Sequence, residues 1–182
     1  KFTHQCLIAS AAMMILCTSA LRGSSFSTTT TIDSISIYIF LHESCKISQY
    51  YTLPLNELYQ EYASEQVQFV GLFPNFNSKP DKIAAFKQQY DILFELKTDY
   101  YHIKKERFGA TVTPEVVVYH EGKQQILYQG RIDDTYFRVG KKRQVTSTAE
   151  LADVLKSITN EQPIKVASTT PIGCFIGKSS LK

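Results

Sequence analysis

The sequence feature that most constrains the fold is an apolar run that ends abruptly just before a cysteine. Residues 35–41 are ISIYIFL, and a run of this composition is typical of a strand buried on both faces. The sequence turns polar at residues 42–44 and then reaches Cys45, after which apolar residues recur at helical spacing. We therefore predict that Cys45 lies where a central strand ends and a helix begins.

This position would make Cys45 a reactive cysteine. A helix N-terminus has free backbone N–H groups and a partial positive charge. Both stabilise a thiolate, which is the nucleophilic form of cysteine. Lys46 adds a cation next to it. The alternative is a structural cysteine buried in the core, but the polar break before Cys45 favours a redox or nucleophilic role.

Length and composition indicate one soluble globular domain. The 182 residues are enough to bury a substantial core. The hydrophobic content of 43% and the charged content of 20% are ordinary for such a domain. The formal net charge of +3 is too small to indicate binding to nucleic acid or to an anionic membrane surface. We therefore expect neither as the partner of the folded domain.

The N-terminal segment has the pattern of an export signal. Residues 1–20 begin with a lysine, continue with an apolar stretch and end in small residues, which is typical of a signal peptide. The apolar stretch is short for a membrane span, which needs about 20 residues. We predict an exported, periplasmic or membrane-tethered protein, with residues 1–20 as signal peptide or N-terminal anchor. The alternative is an N-terminal helix packed on the domain. Residues 21–33 are Ser/Thr-rich and indicate a linker.

The predicted domain covers residues 34–160, and residues 161–182 form a tail that carries Cys174. Helix 1 is expected over residues 47–63 with Pro54 inside it. Ser78 or Asp81 is expected to cap the second helix. The other elements predicted from periodicity and from turn residues are strands at 66–73, 92–96, 115–119 and 125–130, a helix over 98–108 ended by Gly109, and a last helix marked by 151–158.

Several segments, in the same order, resemble one known family. Residues 40–48, FLHESCKIS, look like the active-site turn of thioredoxin-like proteins. With residues 109–115, 128–134, 140–143 and 170–174, the chain resembles bacterial redoxin-domain proteins of the peroxiredoxin and thiol-disulfide oxidoreductase group. The resemblance implies a thioredoxin-like α/β fold, in which helices flank a central mixed sheet. It also implies a βα insertion before a cis proline.

The resemblance assigns roles to three further residues. Pro114 matches the cis proline that lies opposite the active cysteine, and Thr113 would pair with an extended substrate chain. Ser48 stands where the family's second cysteine is usual. A serine cannot release a mixed disulfide as a second thiol does, but it can donate a hydrogen bond to the Cys45 thiolate. A dithiol cycle within this turn is therefore excluded.

Cys174 offers a second thiol outside the turn. It is the other cysteine of the predicted domain and tail, and its Thr-x-x-Gly-Cys context resembles tails of this redoxin group. We hypothesise that Cys174 resolves Cys45 by forming a disulfide. The alternatives are a structural staple of the tail and an unpaired cysteine.

The predicted function is thiol-disulfide oxidoreduction through the nucleophile Cys45, with a protein thiol or disulfide as substrate or redox partner. One alternative is a non-enzymatic thioredoxin-like binding module. Another is a thiol-dependent peroxidase, which ranks lower because His42 stands where peroxiredoxins have Thr or Ser, and sequence brings no arginine to the site.

No cofactor is expected, because the four histidines are scattered and no phosphate-binding loop is present. No metal site is expected either. The adjacent carboxylates Asp133 and Asp134 follow a strand and indicate a turn, with Arg131 pairing one of them.

Overall fold

The computed structural model describes residues 34–177, and within them the chain forms nine strands and four helices. In chain order they are β1 Ile35–Phe40, α1 Lys46–Tyr62, β2 Val67–Phe73, α2 Pro80–Gln89, β3 Glu95–Thr98, α3 Ile103–Phe108, β4 Val112–Thr113, β5 Glu115–His120, β6 Gln125–Gly130, β7 Tyr136–Arg138, β8 Lys141–Lys142, α4 Glu150–Thr159 and β9 Cys174–Phe175. The signal peptide or anchor predicted at residues 1–20 and the linker predicted at 21–33 lie outside the described residues.

A five-stranded mixed sheet forms the centre of the fold. Its strand order is β3-β2-β1-β5-β6. β1 pairs in parallel with β2 and antiparallel with β5, while β2 and β3 are parallel and β5 and β6 antiparallel. All six residues of β1 are buried, because the central strand is covered on both faces. The predicted α/β class with a central mixed sheet is confirmed.

Helices cover both faces of the sheet, as the fold prediction required. Ile37 and Ile39 of β1 belong to the larger core cluster, which includes Leu55 of α1 and Leu151 of α4. The side chains of Tyr38 and Phe40 point the other way, because neighbouring strand residues face opposite sides of a sheet. They join a second cluster with Phe108 of α3 and Ala110. None of the helices within residues 34–177 is long and apolar enough to cross a membrane.

The strand predicted at residues 92–96 is displaced, so that boundary was wrong. β3 begins at Glu95 and pairs with β2 from Val70 onward. Ile92 and Phe94 are buried before the pairing begins. These two residues are apolar because they are buried in the core, and not because they pair with β2.

The helix predicted to begin at residue 98 begins at Ile103, so its start was also wrong, whereas Gly109 ends it as predicted. The carboxylate of Asp99 accepts hydrogen bonds from the backbone N–H groups of Lys104 and Lys105 at 3.1 and 2.8 Å. Asp99 therefore satisfies two of the free donors at the start of α3 from outside the helix. Gly109 has a left-handed backbone with φ of 66°, which favours glycine.

Neither residue expected to cap α2 does so. The N-cap residue is Lys79, and Pro80 takes the first helical position. The hydroxyl of Ser78 instead donates to the Glu43 carboxylate at 2.5 Å. This hydrogen bond links the start of α2 to the turn that precedes Cys45.

Candidate active site

Cys45 is the N-cap residue of α1, immediately after the turn that follows β1. Its backbone is extended, and its N–H donates to the carbonyl of His42 at 3.0 Å. Its carbonyl then accepts the N–H of Gln49 at 2.9 Å. The thiol therefore lies beside the free N–H groups of the first helical turn. Cys45 is only 2% exposed, so other parts of the chain cover it.

The first of these parts is the segment that precedes β5. The peptide bond between Thr113 and Pro114 is cis, and the Cys45 thiol donates to the Thr113 carbonyl at 3.2 Å. Thr113 and Pro114 thus lie directly against Cys45, although 68 positions separate Thr113 from it in the sequence. Thr113 is fully buried.

A buried carboxylate holds this segment in place. Glu115 is 3% exposed, and one of its oxygens accepts the backbone N–H groups of Thr111 and Val112 at 2.9 and 3.4 Å. Its other oxygen accepts the side-chain amide of Gln129 at 2.7 Å. A carboxylate with this many donors fixes the backbone next to Pro114. This role was not predicted from the sequence, in which the only signal is an acidic residue at the start of an apolar strand.

The second covering part is the C-terminal segment. β9 pairs antiparallel with β4, with Thr113 opposite Cys174. This pairing brings the Cys174 sulfur to 2.6 Å from the Cys45 sulfur. The segment is held further along by the Ile176 N–H, which donates to the Thr111 carbonyl at 3.0 Å. The Gly177 N–H donates to the side chain of Asn75 at 2.8 Å.

Gly173 allows the C-terminal segment to approach so closely. A Cβ atom at this position would lie 2.2 Å from the Thr113 carbonyl oxygen and 2.6 Å from its carbon. Both distances are far inside van der Waals contact, so a side chain here would push the segment away. Gly173 was identified from the sequence only as part of the Thr-x-x-Gly-Cys motif, and its role in this contact was not predicted.

The two sulfurs have different electrostatic surroundings. Burial raises the pKa of the Cys45 thiol, but hydrogen bonds from Cys174, from the backbone N–H and hydroxyl of Ser48 and from the Ile47 N–H lower it further than burial raises it. The pKa of Cys45 is therefore below its ordinary value. Burial, hydrogen bonding to Cys45 and the negative charge of Cys45 all raise the pKa of the Cys174 thiol. Of the two, Cys45 is thus the thiol that ionises first.

Ser48 is fully buried beside Cys45. Its hydroxyl oxygen accepts the His42 N–H at 3.4 Å, and the hydroxyl contributes to the lowered pKa of Cys45. The structure thus brings together all five residues that the sequence analysis selected, namely Cys45, Ser48, Thr113, Pro114 and Cys174.

The paired aspartates lie outside this site, and one expectation about them was wrong. Arg131 forms an ion pair with Glu150 at the start of α4 rather than with Asp133 or Asp134. Asp134 pairs with Arg143 at 3.2 Å. Among the described residues, no group of three histidine, cysteine or acidic side chains is arranged to hold a metal ion.

Comparison with known proteins gives no family assignment from sequence, since neither a protein-family model nor a curated protein matches the chain. Solved structures do match. A hypothetical protein from Sinorhizobium meliloti 1021 is 20% identical, with 82% of this chain and 83% of that chain covered and a TM-score of 0.70. An uncharacterised conserved protein from Geobacillus kaustophilus is 17% identical, with 82% and 80% covered and a TM-score of 0.71.

The fold can be named from a third structure. A protein described as thioredoxin-like, solved in its oxidized form, is 16% identical, with 71% of this chain and 80% of that chain covered and a TM-score of 0.52. This chain has the thioredoxin-like fold. The resemblance to thioredoxin-like proteins, which is based on residues 40–48 and the later motifs, is therefore confirmed at the level of fold.

Proposed function

We propose that this protein is a thiol-disulfide oxidoreductase whose redox pair is Cys45 and Cys174. The observation that carries the proposal is the 2.6 Å separation of the two sulfurs at the N-terminus of α1. A secreted Mycobacterium tuberculosis disulfide oxidoreductase, described as homologous to E. coli DsbE, also supports it. That protein is 15% identical, with 69% of this chain and 82% of that chain covered and a TM-score of 0.50.

The reaction begins at Cys45, because its lowered pKa makes it the thiolate of the pair. The thiolate attacks one sulfur of a substrate disulfide. A mixed disulfide forms with Cys45, and the other substrate sulfur leaves with the electron pair and takes a proton. Cys174 then loses its proton and attacks the Cys45 sulfur. The Cys45–Cys174 disulfide forms, the second substrate thiolate leaves, and the substrate has gained two electrons.

The covering segment must move during this cycle. Cys45 is 2% exposed beneath β9, so a protein disulfide reaches it only when β9 separates from β4. The edge of β4 that is then uncovered is the backbone of Thr113, next to Pro114. We assign substrate pairing to these two residues, since an extended substrate chain can form the same ladder bonds as β9.

Purified full-length protein and two variants test the function. The assay follows the reduction of a disulfide-linked protein such as insulin by dithiothreitol, with and without the protein. We expect Cys45→Ser to abolish the acceleration. Reduced Cys174→Ser, mixed with the substrate after dithiothreitol has been removed, should accumulate a mixed disulfide because the resolving thiol is missing. Full activity of Cys45→Ser would refute the proposal. A wild-type protein that forms a mixed disulfide without accelerating turnover would favour the binding module.

The geometry gives less support to peroxide reduction. Arg107 donates to the Tyr119 hydroxyl, Arg131 pairs with Glu150, and Arg143 pairs with Asp134. All three are thus engaged away from Cys45. The thiol-disulfide reaction needs no such cation, because the second sulfur already lies beside the first.

We also propose that the reaction takes place outside the cytoplasm. The signal-like pattern of residues 1–20 supports this, and disulfides persist in oxidising compartments. Fractionation of the native host, followed by N-terminal sequencing of the mature protein, tests it. A protein recovered from the cytoplasm with its N-terminus intact would contradict the proposal.

A further inference from the structure

A cavity of about 460 Å³ opens beside the redox pair. Its walls come from Ser44, from the first turn of α1 and from the β7–β8 hairpin, and Cys174 lines it. Ile47, Tyr136 and Val139 make its interior largely apolar. Cys174 is half-buried whereas Cys45 is 2% exposed. A molecule in this cavity therefore meets the sulfur of Cys174 before that of Cys45.

The charges around the cavity have one sign. Lys46 and Lys142 both line it and both are solvent-exposed. The lining found among the described residues contains no carboxylate. A ligand that carries a negative charge and a small apolar portion is complementary to such a site.

The neighbouring strand edge indicates the size of the ligand. β9 already occupies β4, with Cys174 opposite Thr113 and the Ile176 N–H bonded to the Thr111 carbonyl. While β9 is in place, a peptide cannot pair with the edge of β4 beside the two sulfurs. A small molecule needs no such edge and can enter the cavity without displacing β9.

We propose that a low-molecular-weight thiol bearing a carboxylate enters this cavity and reduces the Cys45–Cys174 disulfide by attack on Cys174. This rests on the proposed function, because it presumes that the disulfide forms. The incoming thiolate bonds to the Cys174 sulfur, the bond between the two cysteines breaks, and its electron pair leaves on Cys45. The thiolate of a second molecule of the same small thiol then attacks the small-molecule sulfur of the mixed disulfide on Cys174. The small molecule is released as its own disulfide, and Cys174 takes a proton.

Attack on Cys174 rather than on Cys45 agrees with the environment of the leaving sulfur. In the reduced chain, the hydroxyl and N–H of Ser48 and the N–H of Ile47 lower the pKa of the Cys45 thiol. The better-stabilised thiolate leaves faster in thiol-disulfide exchange. Cys45 is therefore both the less accessible sulfur for an incoming thiolate and the better leaving group.

Three small thiols test the proposal on oxidised full-length protein. They are 3-mercaptopropionate, which is anionic, 2-mercaptoethanol, which is neutral, and cysteamine, which is cationic. Each second-order rate constant is expressed per thiolate and divided by the rate of the same thiol with a neutral linear disulfide. We expect the anionic thiol to exceed the neutral one by roughly 2- to 30-fold at low salt, which corresponds to two exposed ion pairs. The preference should fall at 0.5 M salt.

Matched variants locate the effect. Lys142→Gln should reduce the preference for the anionic thiol by roughly 1.5- to 5-fold, which corresponds to one exposed ion pair. Lys141→Gln removes the neighbouring exposed lysine, which does not line the cavity, and should keep the preference. An equal loss in both variants, or no preference in the wild type, would overturn the proposal.

The site of attack is read by mass spectrometry after one equivalent of 3-mercaptopropionate and rapid acid quench with alkylation. We expect 3-mercaptopropionate to be disulfide-bonded to Cys174 and the alkyl group to be on Cys45. The reverse labelling would overturn the proposal. Faster reduction by an acidic cysteine-containing peptide than by 3-mercaptopropionate would also overturn it, since β9 would then be displaced. If the oxidised disulfide cannot be formed at all, the proposed function fails as well. If it forms and exchanges with protein substrates, only this inference is at stake.

Discussion

Replacing Gly173 by alanine should weaken the Cys45–Cys174 disulfide without touching either sulfur. The added Cβ would lie 2.2 Å from the carbonyl oxygen of Thr113, whereas ordinary contact begins near 3.4 Å. The C-terminal segment would therefore have to retreat by about 1 Å, the difference between the two distances. Both close neighbours are backbone atoms, which cannot rotate away as a flexible side chain can.

The expected magnitude follows from the cost of overpacking. Forcing an extra methyl group into a packed site typically costs about 1–3 kcal/mol. Reduced protein can escape this cost by releasing β9, but oxidised protein cannot because the disulfide holds Cys174 in place. For a two-electron couple, 1.4 kcal/mol corresponds to about 30 mV. The reduction potential of the Gly173→Ala variant should therefore be roughly 20–65 mV higher than that of the wild type.

The assay is a redox titration in dithiothreitol buffers of known potential, with the oxidised fraction measured by alkylation and mass spectrometry. Gly177→Ala is the matched control. It makes the same change four residues later in the same segment, where the added Cβ would meet only the Asn75 side chain at 3.4 Å. An unchanged potential in Gly173→Ala, or an equal shift in Gly177→Ala, would refute the reasoning.

Three further changes test the surroundings of the pair. Cys174→Ala should move the midpoint of Cys45 alkylation by iodoacetamide to higher pH, because a thiolate loses a hydrogen bond and its lowered pKa rises; an unmoved midpoint would contradict this. Ser48→Ala should shift the same midpoint in the same direction but leave Cys174 able to form the disulfide. Glu115→Ala should lower the free energy of unfolding in urea by about 2–4 kcal/mol, because it leaves buried loop donors without an acceptor. A loss comparable to that of exposed Glu61→Ala would show that Glu115 does not hold the loop.

The start of the site could be predicted because its signal is local. An apolar run, a polar break and a helical repeat follow one another within about 20 residues, so β1, the turn and α1 were found from Ile35 onward. Each of these elements is specified mainly by its own residues. The position of Pro114, in contrast, came from the family resemblance, and spacing alone would not have brought it to Cys45.

The contact between β4 and β9 could not be derived from periodicity. Each strand has only two residues, and 61 positions separate Thr113 from Cys174. A pair this short has no alternation that distinguishes it from a loop. No strand was therefore predicted in the tail, although the resemblance of its Gly-Cys motif led to the hypothesis that Cys174 meets Cys45.

The missed residues have a common physical feature, since each acts through the backbone of another segment. Glu115 accepts N–H groups of the preceding loop, Gly173 gives clearance to the Thr113 carbonyl, and Asn75 accepts the Gly177 N–H. Residue type alone does not reveal such partners. The misplaced starts of β3 and α3 have a related cause, because core burial and the Asp99 side chain override the local pattern.

The measurement that tests the central claim most directly is a disulfide map of protein purified without reductant, combined with its reduction potential. A Cys45–Cys174 link with a potential above roughly −250 mV is the predicted result, because a catalytic pair must cycle. A link below about −300 mV would indicate a structural staple. Absence of the link, with Cys45 free or bonded elsewhere, would contradict the role assigned to Cys174 and with it the proposed redox pair.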